Sequence, residues 1–526
     1  MSAAAPAAPA PAAANGSGAR ISSLPAWWPL AALTLLAALL RLSTLDLQSF
    51  WYDEAFTPVH VLHPSLWATL RSVVHTENSP PLWYLLAWAD SRVLGTGEIA
   101  LRLPSALAGI ATVPVAWAIG RELASRRAAI VCAALVAVNP LFVWYSQEAR
   151  VYGLFVLTAA VAMLCFLRAE RDPTPGRLAG FAAAGALALL THYFVVFLLA
   201  PMVVWLVFGR RADGRQAGSR AALGACGAIV LVGVALLPLI SAQGGHGTQW
   251  IGRWPLSERL QAIPQYFLTG YSGEPLGRGI ELLVALPILT GVGLWLWRWL
   301  EQPAAVRARN AAADPAGAEL AASERRGALI ALSIAACGVL IPVLLAVLGA
   351  DYLAPRNLVA AMIPVTALIA VLLASPSVGR AGTPLALIVA LAFAAISLDV
   401  ELSPRLQRGN WRDVAHALRA DGRQRAITTV ELGAAPLEYY LSGLHNLRAG
   451  RTVEVSEIDE TGYSPLRASA GDPPAPGFRL LARLNIDGLI VYRFVSATPR
   501  AVSETTLRRH VITLAHPEVL VPAASG

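Results

Sequence analysis

Apolar runs recur along this chain, each long enough to cross about 30 Å of hydrocarbon. A backbone inside a bilayer must satisfy its own polar groups, so such runs fold as spanning helices. The composition agrees, because 56% of the 526 residues are hydrophobic and only 14% are charged. About eleven spans are expected, at roughly 26–45, 102–120, 128–145, 151–168, 178–192, 193–209, 221–240, 279–299, 327–349, 357–375 and 383–399. The first, from Trp27 to Leu42, is followed by Leu45-Asp46-Leu47-Gln48. That stretch offers no small-residue cleavage site, so the span is read as uncleaved. Residues 1–25 are rich in Ala and Pro and read as a disordered cytoplasmic tail.

The formal net charge is +8, and the chain has no lysine. Its arginines cluster in alternate connections, and the positive-inside rule then fixes an orientation. Arg121, Arg126 and Arg127 fall on one side with Arg168, Arg171 and Arg177. Arg210, Arg211, Arg215 and Arg220 join them, as do Arg307, Arg309, Arg325, Arg326 and Arg380. That side is expected to be cytoplasmic, with the N-terminus. Topology accounts for the basic excess, and no nucleic-acid partner is expected. Residues 80–97 are apolar but carry Asp90 and Arg92; a span there would invert every later loop. They read instead as an amphipathic helix in the outer interface, with Trp67, Trp83, Tyr84 and Trp88 suited to that depth. Cys132, Cys165, Cys226 and Cys337 all lie in apolar segments, so neither a disulfide nor a Cys-based metal site is expected.

The division that follows is a tail at 1–25, a membrane domain at 26–399 with outer loops 46–101 and 241–278, and a third part at 400–526. The second loop holds Gln243-Gly244-Gly245-His246-Gly247, read either as a mobile lid or as an ordinary solvated loop. Past residue 400, alternating runs at Ala426–Glu431, Thr452–Glu457, Gly488–Val495 and His510–Leu514 accompany helical patterns at Trp411–Ala420 and Ala435–Ser442. These predict a small extracytoplasmic α/β domain.

Polar residues gather at the outer ends of separate spans. Asp53 and Glu54 stand in Phe50-Trp51-Tyr52-Asp53-Glu54-Ala55; Glu148 and Arg150 stand in Ser146-Gln147-Glu148-Ala149-Arg150-Val151-Tyr152. Arg102, His192-Tyr193 and Asp351 to Arg356 lie at the same level. A carboxylate can take the proton of an attacking hydroxyl, and cations can stabilise a departing phosphate. Taken singly, each feature is equally a solvated pair, a loop ion pair or a snorkelling arginine. Ionisable groups at a membrane edge are costly unless paired or used. The chain has no GxxxxGK[ST], HExxH or GxSxG pattern, which argues against an ATP-driven pump and the commonest intramembrane hydrolases.

Trp51-Tyr52-Asp53-Glu54, Pro80-Pro81-Leu82-Trp83-Tyr84, Leu101-Arg102-Leu103-Pro104-Ser105 and Ser146 to Tyr152, in that order, resemble glycosyltransferase family 39. This is the dolichyl-phosphate-mannose–protein mannosyltransferase-like group of GT-C fold. Thr191-His192-Tyr193 and Trp411-Arg412-Asp413 also look like segments of its bacterial members. The resemblance implies an inverting transfer of mannose or another monosaccharide from a polyprenyl-phosphate carrier to an acceptor hydroxyl on a glycan, lipid or protein. The setting would be the outer side of a bacterial cytoplasmic membrane. It implies Asp53, Glu54 and Glu148 as catalytic and Arg102 and Arg356 as structural or phosphate-binding; Arg150, His192, Tyr193 and Tyr84 are read with them as substrate-binding. Many relatives carry His before the double proline; here Asn78-Ser79 precede it, with His75 the nearest substitute. The lipid A type also has Lys nearby, which argues against an aminoarabinose donor. No cofactor follows from these motifs, and a divalent metal, Mg or Mn, stays open. Two rivals also stay open: a flippase or transporter of lipid-linked sugars, and a non-catalytic binder of them.

Overall fold

The computed structural model describes residues 27–209, 219–246, 248–270, 273–277, 279–301, 315–419, 424–513 and 516–523. The expected tail at 1–25 lies outside these, as do Arg210, Arg211, Arg215, Gly247, Arg307, Arg309, Ala420 and Leu514.

A helix occupies every expected span. Seven described helices are long and apolar enough to cross a membrane, and a bent pair, Arg126–Val138 with Pro140–Ser146, makes an eighth. The expected eleven exceeds this count because three helices are short: Trp28–Leu42 and Pro175–Leu189 have 15 residues each, and Val196–Phe208 has 13. Fifteen residues rise about 22 Å, less than the hydrocarbon thickness. The outward faces are apolar, with Leu231 69% and Leu289 62% exposed, as a multi-pass membrane protein requires.

The bundle centres on the helix Glu98–Leu123, which buries Leu101, Val113 and Ile119. Its neighbour breaks at Asn139-Pro140. Proline cannot donate to the preceding turn, and the two segments meet at 55°. The Asn139 side chain caps the new start, accepting from Leu141 N at 3.0 Å and Phe142 N at 3.2 Å. The carbonyls freed by the break are also satisfied. Arg41 donates to Ala137 O at 2.8 Å and Val136 O at 3.2 Å, and Ser397 Oγ donates to Val138 O at 3.0 Å. Gly109 permits this closeness, because a Cβ there would stand 2.0 Å from Ser146 Oγ.

The first long loop is itself helical, at Tyr52–Phe56, Leu66–Thr76 and Leu82–Val93. The last of these is the helix expected within 80–97. It buries Trp83, Tyr84, Ala87 and Ser91 against the protein and exposes Leu86 and Val93.

The final bundle helix, Gly382–Leu402, leads into a six-stranded mixed sheet. Its strands are β1 (Arg425–Thr429), β2 (Leu444–Asn446), β3 (Thr452–Tyr463), β4 (Arg479–Ile486), β5 (Leu489–Ser503) and β6 (Glu518–Pro522), in the order β2-β6-β1-β3-β5-β4. β1 and β3 are parallel, and every other pairing is antiparallel. Helices Trp411–Ala417 and Ala434–Tyr440 match the expected pair. The run from His510, expected as a strand, is instead a loop after the helix Glu504–Arg509; its Val511 and Ile512 are buried without ladder pairing.

The sheet unit is stitched to the first loop. Trp51 shares an apolar cluster with Trp411, Val414 and Leu437. Ser49 Oγ donates to Gly409 O at 3.0 Å and accepts from Trp411 N at 2.9 Å. Arg412 and Tyr440 both reach Glu98, and Tyr440 Oη also accepts from Phe50 N at 2.7 Å.

Candidate active site

The adjacent acids of the first loop have different surroundings. Trp51 is extended and begins the helix Tyr52–Phe56, so Asp53 and Glu54 leave it in different directions. Glu54 is completely buried. Arg102 grips it through Nε at 2.7 Å and Nη2 at 2.6 Å, and Ala149 N donates to it at 2.8 Å. The other Arg102 donors go to Leu45 O, Gln48 O and Ser49 O at 2.7–3.1 Å. All five N–H groups of Arg102 are thereby engaged. The expected phosphate contact by Arg102 has no donor left to make it. This arginine folds residues 45–54 over the bundle end, so of its two expected roles the structure favours the structural one. Burial opposes the charge on Glu54, but the Arg102 guanidinium and the Ala149 amide hold its carboxyl below the usual range.

Asp53 keeps 14% of its side-chain surface and pairs with Arg356 Nη1 at 2.6 Å. The Arg356 guanidinium also lies over the Trp250 ring, 4.8 Å from its centre. Arg356 comes from the turn after Asp351, which Arg259 clamps through two bonds of 2.6 and 2.7 Å. Arg150 donates to Asp53 O at 3.4 Å and approaches Glu77 at 3.4 Å. Tyr84 donates to the same Glu77, and burial beside that acid pushes the Tyr84 hydroxyl well up.

Glu148 follows directly from the Pro140 break, which ends the short helix Pro140–Ser146 inside the cluster. Neither Glu148 oxygen has a hydrogen-bond partner among the described residues. Its nearest cation is Arg408 Nη2 at 3.6 Å. Burial, opposed by Arg408 and reinforced by Glu54 and Asp53, pushes the Glu148 carboxyl up to about 7.

His192 and Tyr193 are placed differently from the acids. His192 stacks on Phe155 at 4.3 Å, and its Nδ1 accepts from Phe194 N at 3.2 Å. It caps the turn Tyr193–Val195, and its neutral ring carries the proton on Nε2. Tyr193 donates to Gln243 at 2.7 Å, and Gln243 reaches Val73 O and Ser79 O at 3.0 and 3.1 Å. The second loop is thus latched to the first, and most of its described length is helix, at Gln249–Arg253 and Leu256–Thr269. His75, the sequence substitute for the missing histidine, is exposed.

Sequence reasoning missed Glu77, Arg408 and Gln243. Glu77 directly precedes Asn78-Ser79-Pro80-Pro81, and Arg408 lies three residues before the segment Trp411-Arg412-Asp413, so position near a recognised motif was the available signal. No group of three or more His, Cys, Asp or Glu side chains could hold one among the described residues. Glu54 is saturated by Arg102 and Ala149, and Glu77 is engaged by Tyr84 and Arg150. A cavity of about 1320 Å³ lies elsewhere, lined by Trp117, Arg121, Arg126, Glu170 and Arg326. Arg121 is nineteen residues along the same helix from Arg102, about 28 Å away.

Residues 78–237 match the family described as dolichyl-phosphate-mannose-protein mannosyltransferase. Among curated proteins, none matches by sequence. The apo crystal structure of ArnT from Cupriavidus metallidurans is similar with a TM-score of 0.51 and 14% identity, covering 88% of this chain and 97% of that one. The same protein bound to undecaprenyl phosphate gives 0.49 and 13%, over 89% and 98%. An oligosaccharyltransferase from Archaeoglobus fulgidus, in complex with Zn and sulfate, gives 0.41 and 14%, over 79% and 57%. This chain therefore has the fold of a multi-pass GT-C protein, and its residues 78–237 are similar to the dolichyl-phosphate-mannose-protein mannosyltransferase family.

Proposed function

We propose that this protein is an inverting glycosyltransferase that moves a monosaccharide from a polyprenyl-phosphate carrier to an acceptor hydroxyl. The acceptor is a glycan, lipid or protein on the outer side of a bacterial cytoplasmic membrane. The observation that carries this reading is the Asp53–Arg356 pair, a carboxylate and a guanidinium 2.6 Å apart at the bundle end. Each half is partly accessible, while Glu54, Arg102 and Glu148 around them are buried. The family match over 78–237 supports the donor class.

In this reaction the acceptor O–H gives its proton to the Asp53 carboxylate as its oxygen attacks the anomeric carbon. The bond from that carbon to the phosphate oxygen breaks, and its electron pair leaves with the polyprenyl phosphate. Arg356 is placed to meet the charge that develops there, which its fork can bind through two bonds. The Glu54–Arg102 pair holds the loop that presents Asp53. Glu148 offers a second carboxyl, and Arg150 with Glu77 and Tyr84 braces the Asp53 backbone. The sheet unit, seated on the same loop, lies on the acceptor's side.

The test is turnover by purified protein with a panel of radiolabelled polyprenyl-phosphate sugars, comparing wild type with Asp53→Asn. Label should leave one donor for water or an acceptor and stay on it in the variant. Binding of every donor without turnover, unchanged by Asp53→Asn, would overturn the reading and favour a flippase or a non-catalytic binder.

A further inference from the structure

Arg408 belongs to no helix or strand and lies six residues past the last bundle helix, yet it is as deeply buried as the carboxylates it faces. Its guanidinium stands 4.0 Å from Glu54 and 3.6 Å from Glu148, too far from either for a hydrogen bond. It is held instead by groups that are not acids. Its plane covers Trp144 at 4.0 Å, Nη2 donates to Trp144 O at 3.1 Å, and Nη1 donates to Gln48 Oε1 at 3.4 Å. Its own backbone N–H donates to Gln48 Oε1 at 3.0 Å. Three residues on, the buried Trp411 fixes the backbone through Ser49. Glu148 in turn is a carboxylate with no hydrogen-bond partner among the described residues.

We propose that Arg408 is a positioning residue of the transfer site: lodged between Glu54 and Glu148 by the docked sheet unit, it sets a guanidinium against the Glu148 carboxyl and opposes the burial and the neighbouring acids that disfavour a charge there. The proposal rests on the transferase reading and adds a cation to it from outside the membrane helices. The groups facing Glu148 are Asp53 and Glu54 from the first loop, Arg150 and Tyr152 from its own connection, and Arg408 from the linker. Both loop acids disfavour a second negative charge, and Arg150 is shared with Glu77 and Asp53. Arg408 is the largest of the opposing influences. Without it, the charged form of Glu148 would face two like charges in a dry site. The linker then couples catalysis to docking, because loosening Trp411 from Ser49 withdraws Arg408 and protonates Glu148.

The experiment is the pH dependence of transfer, together with the infrared band of the protonated Glu148 carboxyl, identified by its loss in Glu148→Gln. In Arg408→Gln the midpoint of that band should move up by about one pH unit or more, with the activity limb following it. Arg408→Lys keeps the charge and should move both by less. If wild type transfers no sugar but the band shifts as stated, the positioning role stands and the transferase reading fails. If wild type transfers sugar and Arg408→Gln leaves both midpoints in place, the proposal is overturned. Should Arg408→Gln fail to fold, Ser49→Ala, which removes the hydroxyl that holds Gly409 and Trp411 without removing the charge, must show the same upward shift, and an unmoved band there also overturns it.

Discussion

Arg102 and Arg121 lie on one helix, about 28 Å apart, and do opposite things. At the first end, Arg102 is fully enclosed and gives all five donors to Glu54 and to three carbonyls of the first loop. At the other, Arg121 is exposed beside a cavity where Glu122 pairs locally with Arg168 and Arg171, and Glu170 with Arg326. Desolvated ion pairs fix geometry; exposed ones are screened and report mainly which face of the membrane they occupy. The difference teaches that cavity size does not locate the chemistry here. The acids that could react are found where charges have been driven inward.

The largest test of that contrast is Glu54→Ala. It leaves Arg102 buried with two donors unpaired and should cost about 3–5 kcal/mol, read from unfolding in detergent. Arg171→Gln at the other end, whose partner pairing is exposed, should change stability by no more than about 0.5 kcal/mol. Equal costs at both ends would erase the distinction.

The pH dependence sharpens it further. Glu54 is held below its unfolded value, so its stabilisation is present above about pH 4.3 and is lost as pH falls through the folded value. Glu148 runs the other way. Its carboxyl is pushed up to about 7, so the folded state binds more protons and stability falls as pH rises from about 4.3 towards 7. Glu148→Gln should remove that fall, on the order of 1–3 kcal/mol, and flatten the melting temperature between pH 5 and 8. A variant curve parallel to wild type would place Glu148 outside the buried cluster.

The helix caps give a smaller comparison. Ser125 and Asn139 cap consecutive segments of the bent pair, at its two levels. Either change to Ala should cost about 1 kcal/mol. Only Asn139→Ala should also lower sugar transfer, because the capped segment delivers Glu148. Equal activity in both variants would show that the break is structural alone.

Much of the bundle was legible because a hydrocarbon run leaves few alternatives to a helix. The junction of the two short spans was legible too, because the polar Thr191-His192-Tyr193 interrupts the apolar run where the structure turns between Pro175–Leu189 and Val196–Phe208. In the sheet unit, β4 went unread although Asp487-Gly488 marks the turn; both residues adopt positive φ, 50° and 92°, as a tight two-residue hairpin requires. Exposed Leu480 and Leu481 interrupt the alternation that would have flagged the strand. At the site, Asp53, Glu148 and Arg356 could be named from their position at span ends. Glu54 and Arg102 could be named as well, but not paired, because theirs is a contact across 48 positions, and Arg408 reaches Glu148 across 260. Spacing carries no information at that range.

The smallest expected effect on stability separates the two ends most directly. Arg121→Cys removes an exposed side chain and should leave folding and transfer within about 0.5 kcal/mol of wild type. In intact cells or sealed vesicles of native orientation, the new thiol should resist a membrane-impermeant maleimide until the bilayer is opened. Arg448→Cys, exposed on the sheet unit, should react at once. The native cysteines are in or beside apolar helices and provide the background to subtract. Labelling of Arg121→Cys before Arg448→Cys would invert the orientation that the arginine clusters imply. The acid cluster would then face the cytoplasm, and the acceptor would have to be sought there.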